Sequence, residues 1–354
     1  MAFALLDRLE AHKKLSFDQW CEVLSDCDGP SFEEAKIRAG AIAQKHFGRG
    51  IYIRGIVEFT NFCRNECHYC GLQKSRRDLV RYRLSQEEIL SCCEAGYRLG
   101  LRTFVLQGGE DPGIDDAWLI ALIEQLQSHF PDACITLSLG ERSEQSYAAL
   151  FAAGARRYLL RHETASHSLY RKLHGPTQSY FERLSCLYRL KALGYQTGAG
   201  MLIGPPGQSL EHLAEDFCFI QAFQPEMLGC GPFIPHAQTI YAHEPAGSVK
   251  RTLYVLSLCR LLLPDLLLPA TTALATEDAH GYEEGIAHGC NVIMPNLTPK
   301  VSKMHYQLYN GVDCETSFEE ALSRLKLRVT DLGYHLVFGR GDHPRFAQHK
   351  GRNA

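Results

Sequence analysis

Two adjacent stretches decide the fold class and the chemistry: the run IYIRGIVEF, residues 51–59, and the segment CRNECHYC, residues 63–70. The first is rich in β-branched residues and predicts a buried strand. The second places Cys63, Cys67 and Cys70 on the loop that should follow this strand. Such a loop can bring three thiols around one metal centre.

Downstream, short β-rich runs alternate with amphipathic helical patterns. The strand candidates are Ile51–Phe59, Thr103–Gln107, Ile135–Leu139, Arg157–Leu160, Gln196–Leu202, Met227–Gly229, Leu267–Pro269 and Asn291–Met294. The helix candidates between them include Ser85–Leu99, Asp115–His129, Glu144–Ala153, Tyr180–Leu193, Ser209–Ala222 and Lys250–Leu263. This alternation over roughly 250 residues predicts parallel strands in a closed α/β fold, a (βα)8 TIM barrel. An open doubly wound sheet is the alternative, since periodicity does not prove closure.

The chain divides into three predicted parts. Residues 1–48 indicate an N-terminal helical extension, in which Ser16 caps one helix and Ser31 with Glu34 suggests a capping box for another. Residues 49–300 form the barrel, whose active site should lie at the carboxyl ends of the strands. Residues 301–354 are polar and basic, and we expect this C-terminal segment to pack on the barrel, with fraying as the alternative.

The composition excludes several classes of function. Lys plus Arg total 37 against 40 Asp plus Glu, a formal net charge of -3, and no block of like charges marks a nucleic-acid-binding arm. The apolar run at residues 2–6 meets charges at once, and no run approaches membrane-spanning length, so we expect a cytoplasmic protein without membrane contact. Because cytoplasmic thiols stay reduced, the 14 cysteines favour metal binding or catalysis over disulfides.

The cysteine segment admits three interpretations. Three thiolates on a four-iron cluster leave one iron open, just as three protein ligands leave an open position on a catalytic zinc. A zinc site that uses His68 is less favoured, because no second ligand pair follows nearby. Simple packing is the third interpretation. It does apply to the isolated cysteines, which we expect to be buried: Cys92, Cys93, Cys134, Cys186, Cys218, Cys230, Cys259 and Cys290.

With an aromatic residue before the last cysteine and a position after the first strand, the pattern Cys63-x3-Cys67-x2-Cys70 resembles the signature of radical S-adenosylmethionine (SAM) enzymes. Further segments, among them LQGGED at 106–111, TLSLGE at 136–141 and YLLRHET at 158–164, resemble the HydE family of FeFe-hydrogenase maturases within the biotin synthase-like group. The resemblance covers the entire predicted barrel. It implies a 4Fe-4S cluster on the three cysteines, which cleaves SAM reductively to a 5′-deoxyadenosyl radical.

The resemblance also implies roles for individual residues. Glu163 should bind the ribose hydroxyls of SAM and Arg183 its methionyl carboxylate, although Arg183 could instead lie on a solvated helix face. The other implied cofactor contacts are Gly108, Gly109, Glu110, Ser138 and Tyr306. Gly108 stands where the family commonly has serine, so a hydroxyl contact is lost there.

A second set of implied residues should line the substrate cavity: Thr136, Arg161, Met227, Thr271 and Thr272. Arg161 would supply charge to an anionic, cysteine-derived substrate and thereby take part in catalysis. Two structural alternatives remain open. The paired threonines could cap the next helix, and Met227 could belong to the core.

The implied function is assembly of the dithiomethylamine bridge of the hydrogenase active site from an iron-bound cysteine synthon. A flavodoxin or ferredoxin would act as reductant, and other maturases are candidate partners. One alternative is a related enzyme such as methylornithine synthase. Another is a noncatalytic carrier scaffold for an iron cluster.

A second cluster is not expected. Many HydE proteins carry three further cysteines spaced C-x7-C-x2-C, but this chain keeps only Cys314, with Leu322 and Leu325 at the other two positions. These leucines, together with Leu327, predict one face of a helix that continues through Arg328.

Overall fold

The computed structural model describes residues 2–311 and 316–347. The N-terminal extension consists of α1 (Ala2–His12), α2 (Phe17–Ser25), a 3-10 turn (Asp26–Asp28) and α3 (Ser31–Phe47). Ser16 caps α2 as predicted, and its hydroxyl accepts a hydrogen bond from the Gln19 amide. The capping box predicted at Ser31 is wrong, because Ser31 is already the first helical residue and its amide donates to Asp26 Oδ2 at 3.2 Å.

Strands and helices then alternate. The strands are β1 (Gly50–Ile53), β2 (Gly55–Thr60), β3 (Thr103–Gly108), β4 (Cys134–Ser138), β5 (Ala155–Leu159), β6 (Gln196–Ile203), β7 (Met227–Pro232), β8 (Val292–Ile293) and β9 (His335–Val337). The other helices are α4 (Gln86–Arg98), α5 (Asp116–His129), α6 (Glu144–Ala153), α7 (His167–Leu173), α8 (Tyr180–Ala192), α9 (Leu210–Phe223), α10 (Val249–Leu262), α11 (Thr272–Glu277), α12 (Gly281–Ala287), α13 (Lys300–Lys303), α14 (Phe318–Asp331) and α15 (Pro344–Ala347). Each helix predicted between strands is confirmed to within one residue at either end.

The first predicted strand is in fact two strands. β2 to β7 form a six-stranded parallel sheet in chain order, whereas β1 lies between β8 and β9 in a three-stranded sheet. The run at 51–59 therefore divides at Arg54, because its two halves have different pairing partners.

Isolated parallel bridges close the barrel between the edges of the six-stranded sheet. In order round the ring they are Met227 to Leu267, Pro269 to Val292, and Asn296 to Ile56. The seventh predicted strand, at 267–269, is thus reduced to bridges and yet completes the ring. The closed barrel is confirmed, and the open sheet is wrong.

The C-terminal segment covers the end of the barrel where the strands begin. Arg157, fully buried in β5, binds Asp342 with 2.7 Å between Nη2 and Oδ1. The Asp342 carboxylate also accepts a hydrogen bond from Gln196 at 2.8 Å and pairs with Arg340 at 2.9 Å. The contacts of Asp342 with β5 and β6 therefore hold this part of the segment against the barrel.

Helix α14, in the same segment, buries only part of the predicted face. Leu322, Leu325 and Val329 are buried, but Leu327 is 67% exposed. The prediction for Leu327 is wrong because two helical residues turn the chain by about 200°, which places Leu327 opposite Leu325. Cys314, on which the second-cluster prediction depends, lies outside the described residues.

The N-terminal helices cover the outside of the barrel. The Trp20 ring of α2 stacks on Phe217 of α9 with 4.3 Å between centroids. The Tyr254 hydroxyl of α10 donates to the Val23 carbonyl at 3.0 Å. Over residues 2–311 and 316–347, no helix has the length and apolar character needed to cross a bilayer.

Candidate functional site

The loop after β2 carries the three clustered cysteines, Cys63, Cys67 and Cys70. This loop packs closely against the end of β3. A Cβ on Gly108 would come within 2.6 Å of Thr60 Cγ2, and a Cβ on Gly109 within 2.2 Å of the Phe62 carbonyl oxygen. The absence of a side chain at both glycines therefore lets the end of β3 approach the end of β2 and the start of the cysteine loop closely.

The three cysteines are each half-buried. Burial raises the pKa of Cys67 to about 12, with a further contribution from Cys63 and an opposing one from Gln178. Burial, followed by Cys67 and Cys63, raises the pKa of Cys70. Gln178 Nε2 donates to Cys67 Sγ at 3.2 Å, and the Leu72 amide donates to Cys70 Sγ at 3.4 Å. Cys63 thus affects the pKa of both other thiols and Cys67 that of Cys70, which indicates that the three lie near one another. A bound metal centre would hold them as thiolates.

This donor set fits a cluster better than a single ion. In the part of the chain that the structure describes, no three His, Cys, Asp or Glu side chains lie close enough together to hold one metal ion. Zinc requires all its ligands within roughly 2.0–2.3 Å of one point, whereas a cubane offers a separate iron to each thiolate. His68 Nδ1 lies 2.8 Å from the Lys172 carbonyl oxygen, which gives it a backbone partner outside the cysteine set. The positions of the cysteines and the backbone contact of His68 therefore do not favour a zinc site that uses His68.

Two arginines that the sequence did not single out hold the cysteine loop. Arg81 donates to the Leu72 carbonyl at 3.1 Å and to the Arg76 carbonyl at 3.3 Å. Arg76 in turn donates to the Gly71 carbonyl at 3.1 Å and contacts His236 Nε2 at 3.2 Å. Spacing could not reveal these residues, because most of their partners are backbone carbonyls, which every sequence supplies.

Glu163 occupies a strained position beyond β5. Its φ of 64° lies in the left-handed region that residues other than glycine rarely adopt. Its amide donates to the Gly200 carbonyl and its carbonyl accepts from the Leu202 amide, both at 2.9 Å. Its Oε2 lies 3.1 Å from Arg161 Nη2. The backbone thus holds Glu163 beside Arg161, which joins the predicted SAM contact to the predicted substrate contact.

Arg183 is buried on α8, so the alternative of a solvated helix face is wrong. Its Nη2 lies 3.3 Å from Glu110 Oε1 and its Nε 2.8 Å from Glu141 Oε1. Glu110 also pairs with Arg64 at 3.0 Å. These four side chains form an ion network that joins α8 to the loops after β2, β3 and β4.

Several buried polar atoms near the carboxyl end of the barrel have no aligned hydrogen-bond partner within the described residues. Thr136 Oγ1 and Arg161 Nε have no partner there, whereas Glu141 Oε1, Glu163 Oε2 and Arg183 Nε have only an ion-pair contact without good hydrogen-bond geometry. A buried polar atom that has no partner costs about 1–3 kcal/mol. The set contains acceptors suited to hydroxyl groups and guanidinium donors suited to a carboxylate. The residues present therefore fit a SAM molecule.

A cavity of about 500 Å³ occupies the barrel interior, a volume typical of small-molecule sites. Its lining contains every predicted substrate residue and two predicted cofactor residues: Thr136, Arg161, Met227, Thr271, Thr272, Ser138 and Tyr306. The other predicted cofactor residues lie outside this lining: Gly108, Gly109, Glu110, Glu163 and Arg183. Glu110 instead lines a smaller cavity of about 240 Å³ beside the loops after β3 and β4.

Two lining residues also have structural partners. The Thr271 hydroxyl caps α11 and accepts from the Leu274 amide at 3.3 Å, so the capping interpretation holds for Thr271. Met227 Sδ accepts from Arg54 Nη1 at 3.2 Å. Thr271 and Met227 thus line the cavity and also make hydrogen bonds within the protein.

Glu58 is a cavity residue that the sequence interpretation missed. It lines the cavity from β2, a strand whose six residues are all buried, and Asn296 Nδ2 donates to its Oε2 at 2.7 Å. The sequence did carry a signal for Glu58, because a charged residue is unusual in a parallel strand that is buried on both faces. Of the cysteines predicted to be buried, only Cys218 departs from the prediction, since it is partly exposed.

Comparison with known proteins identifies the relatives of this chain. The Radical SAM superfamily model matches residues 57–220. The FeFe hydrogenase maturase subunit HydE of Thermotoga maritima is 42% identical over 329 residues, 93% of each chain. The 3-methylornithine synthase of Methanosarcina acetivorans is 26% identical over 82% of each chain.

Solved structures share the fold. A methylornithine synthase (PylB) superposes with a TM-score of 0.82 at 23% identity, covering 97% of this chain and 99% of that chain. The FeFe-hydrogenase maturase HydG superposes with a TM-score of 0.81 at 19% identity, covering 99% of this chain and 80% of that chain.

Proposed function

Because the chain belongs to the HydE family of radical SAM enzymes, we propose that it cleaves SAM reductively during maturation of an FeFe-hydrogenase. One observation carries this proposal: the chain is 42% identical to HydE over 93% of both chains, against 26% for a 3-methylornithine synthase. The solved structures support the barrel fold alone, since their identities are 23% and 19%.

The proposal assigns residues of the site to the two cofactors. Cys63, Cys67 and Cys70 would hold a 4Fe-4S cluster, which when bound supplies the electron for SAM cleavage. Glu163 Oε2, which has an ion-pair contact with Arg161 but no hydrogen bond of good geometry, would accept hydrogen bonds from the ribose hydroxyls. The Arg183 guanidinium, held by Glu110 and Glu141, would donate to the methionyl carboxylate. The remaining SAM contacts would come from Gly108, Gly109, Glu110, Ser138 and Tyr306.

The barrel cavity would bind an anionic, cysteine-derived substrate. Arg161 would bind its anionic group, Thr136, Thr271 and Thr272 would add neutral hydrogen bonds, and Met227 would contact its apolar part. The product chemistry would be assembly of the dithiomethylamine bridge from an iron-bound cysteine synthon. A flavodoxin or ferredoxin would supply electrons, and other maturases would exchange intermediates with this protein.

Anaerobic reconstitution tests the cofactor assignment. With SAM and dithionite, the wild type should contain about four irons per chain and release 5′-deoxyadenosine. Cys67→Ser should lose most of the iron and all SAM cleavage, whereas Cys218→Ser, a partly exposed cysteine on α9, should retain both. Full iron content and turnover in Cys67→Ser would contradict the assignment.

Calorimetry tests the SAM contact. Arg183→Ala should weaken SAM binding by about 1.5–3 kcal/mol, the range for a hydrogen bond to a charged group. Arg189→Ala, on the same helix but paired with Glu182, should leave the affinity unchanged. Equal affinities for all three proteins would remove Arg183 from the SAM site.

An in vitro maturation assay tests the pathway. This chain should replace HydE in activating an apo-hydrogenase, as measured by hydrogen evolution. Formation of 3-methylornithine from lysine, without hydrogenase activation, would instead support the alternative enzyme.

A further inference from the structure

The barrel cavity contains one carboxylate that the proposed function does not use. Among the described residues that line the cavity, Glu58 is the only acidic side chain. The basic side chains there are Arg54, Arg161, Lys303, Arg324 and Arg328. Burying a carboxylate inside a strand costs free energy unless a partner compensates it. The placement of Glu58 therefore points to a ligand.

The protein itself compensates Glu58 only in part. Asn296 Nδ2 donates to Oε2 at 2.7 Å, and this is its one side-chain hydrogen bond in the described structure. Among the residues that the structure describes, no basic group pairs with it within ion-pair distance. The other carboxylate oxygen, Oε1, is thus left for a molecule in the cavity.

The strand register places Glu58 within a polar level of the barrel. Glu58 pairs with Gln107, and Gln107 pairs with Ser138. All three line the cavity, while the preceding level is formed by Ile56, Val105 and Thr136. A polar substrate would therefore meet neutral amide and hydroxyl groups on one side of Glu58 and an anion only at Glu58 itself.

The titration of Glu58 suits a partner with an N–H group. Burial raises its pKa to about 7, while the Asn296 hydrogen bond and Lys303 oppose this shift. The other titratable groups around it are phenols whose pKa values burial and then Glu58 raise: Tyr82, Tyr306 and Tyr309. A cationic partner would favour the ionised carboxylate and so recover part of the cost of its burial.

We propose that Glu58 binds the amino group of the substrate. The inference rests on the proposed function, which supplies a cysteine-derived substrate, and it extends that function to the nitrogen of the substrate. Arg161 would take the anionic group in another part of the cavity, since it follows β5 while Glu58 lies in β2. Because Glu58 is the only acidic side chain among the described lining residues, it is the lining group whose charge is opposite to that of an ammonium group.

The test compares two thiols that differ in the amino group. L-Cysteine and 3-mercaptopropionate are titrated anaerobically into the reconstituted protein with SAM bound and no reductant. The wild type should prefer L-cysteine. In Glu58→Gln, L-cysteine affinity should fall about tenfold or more, and 3-mercaptopropionate affinity should stay within about twofold. Glutamine retains the shape and can still accept from Asn296, so folding should be preserved.

Two further variants sharpen the result. Glu58→Asp keeps the charge and should retain part of the preference for L-cysteine. Glu94→Gln, which removes a carboxylate on the exposed face of α4, should behave as the wild type with both thiols. Equal weakening of both thiols in Glu58→Gln, no weakening of either, or a wild type that binds neither would overturn the inference. Cluster iron and SAM affinity, measured on the same samples, report separately on the proposed function.

Discussion

Replacing Asp342 with alanine should lower the free energy of unfolding by about 3–5 kcal/mol, the cost of leaving a buried charge without its partner. Arg157 is 0% exposed, and Asp342 is the only carboxylate that pairs with it among the described residues, at 2.7 Å. The other acceptors of Arg157 are neutral, among them Thr103 Oγ1 at 3.2 Å. The same substitution removes the acceptor of Gln196 and the 2.9 Å ion pair with Arg340.

Urea denaturation followed by circular dichroism measures this effect. The double variant Arg157→Met/Asp342→Ala should be more stable than Asp342→Ala alone, because it removes the unpaired charge as well. Asp28→Asn, in an exposed pair with Lys250 at 2.8 Å, should change little.

The pH dependence provides a second check. Burial favours protonation of Asp342, but Arg157 and further hydrogen bonds and charges outweigh it, so its pKa is lowered. A lowered folded-state pKa means that the contribution is present above the ordinary carboxyl value of about 4 and is lost as the pH falls below it. An Asp342→Ala protein as stable as the wild type at neutral pH would refute this reasoning, as would a double variant no better than the single one.

Three further outcomes follow from burial and close packing. Leu325→Ala should destabilise by about 2–5 kcal/mol in urea denaturation, because Leu325 is 5% exposed, whereas Leu327→Ala should be nearly neutral. Glu58→Gln should raise the free energy of unfolding of the ligand-free protein by roughly 3 kcal/mol above pH 8 and change it little near pH 4. The reason is that burial raises the pKa of Glu58 to about 7, so the folded protein pays for an ionised buried carboxylate only at high pH. An equal effect at both pH values would contradict the raised pKa. Gly109→Ala should reduce iron incorporation, because its Cβ would lie 2.2 Å from the Phe62 carbonyl oxygen, and Gly339→Ala, with no heavy atom within 4 Å of its Cβ, should serve as the unchanged control.

The site was predictable from sequence to different degrees. The family was identified because the cysteine spacing and the strand-end segments are local patterns, and the similarity to HydE confirms it. Every residue assigned to the substrate does line the cavity, while five residues assigned to SAM lie outside its lining. Their roles stay predictions. The engagement of Arg183 by Glu110 and Glu141 could not be foreseen, because these residues come from separate loops.

The sequence by itself determined the N-terminal helices and the longer helices between strands, the cysteine motif and the family. Helix bounds depend on caps and on apolar spacing within a few residues, and a ligand motif depends on short distances along the chain. Both can therefore be predicted from neighbouring residues in the sequence. Only the tertiary structure decided the division of the first strand at Arg54, the closure of the ring by the bridges near Leu267, and the isolation of Glu58 among basic groups. These features depend on pairing and burial between residues far apart in the chain, and local periodicity carries no information about such partners.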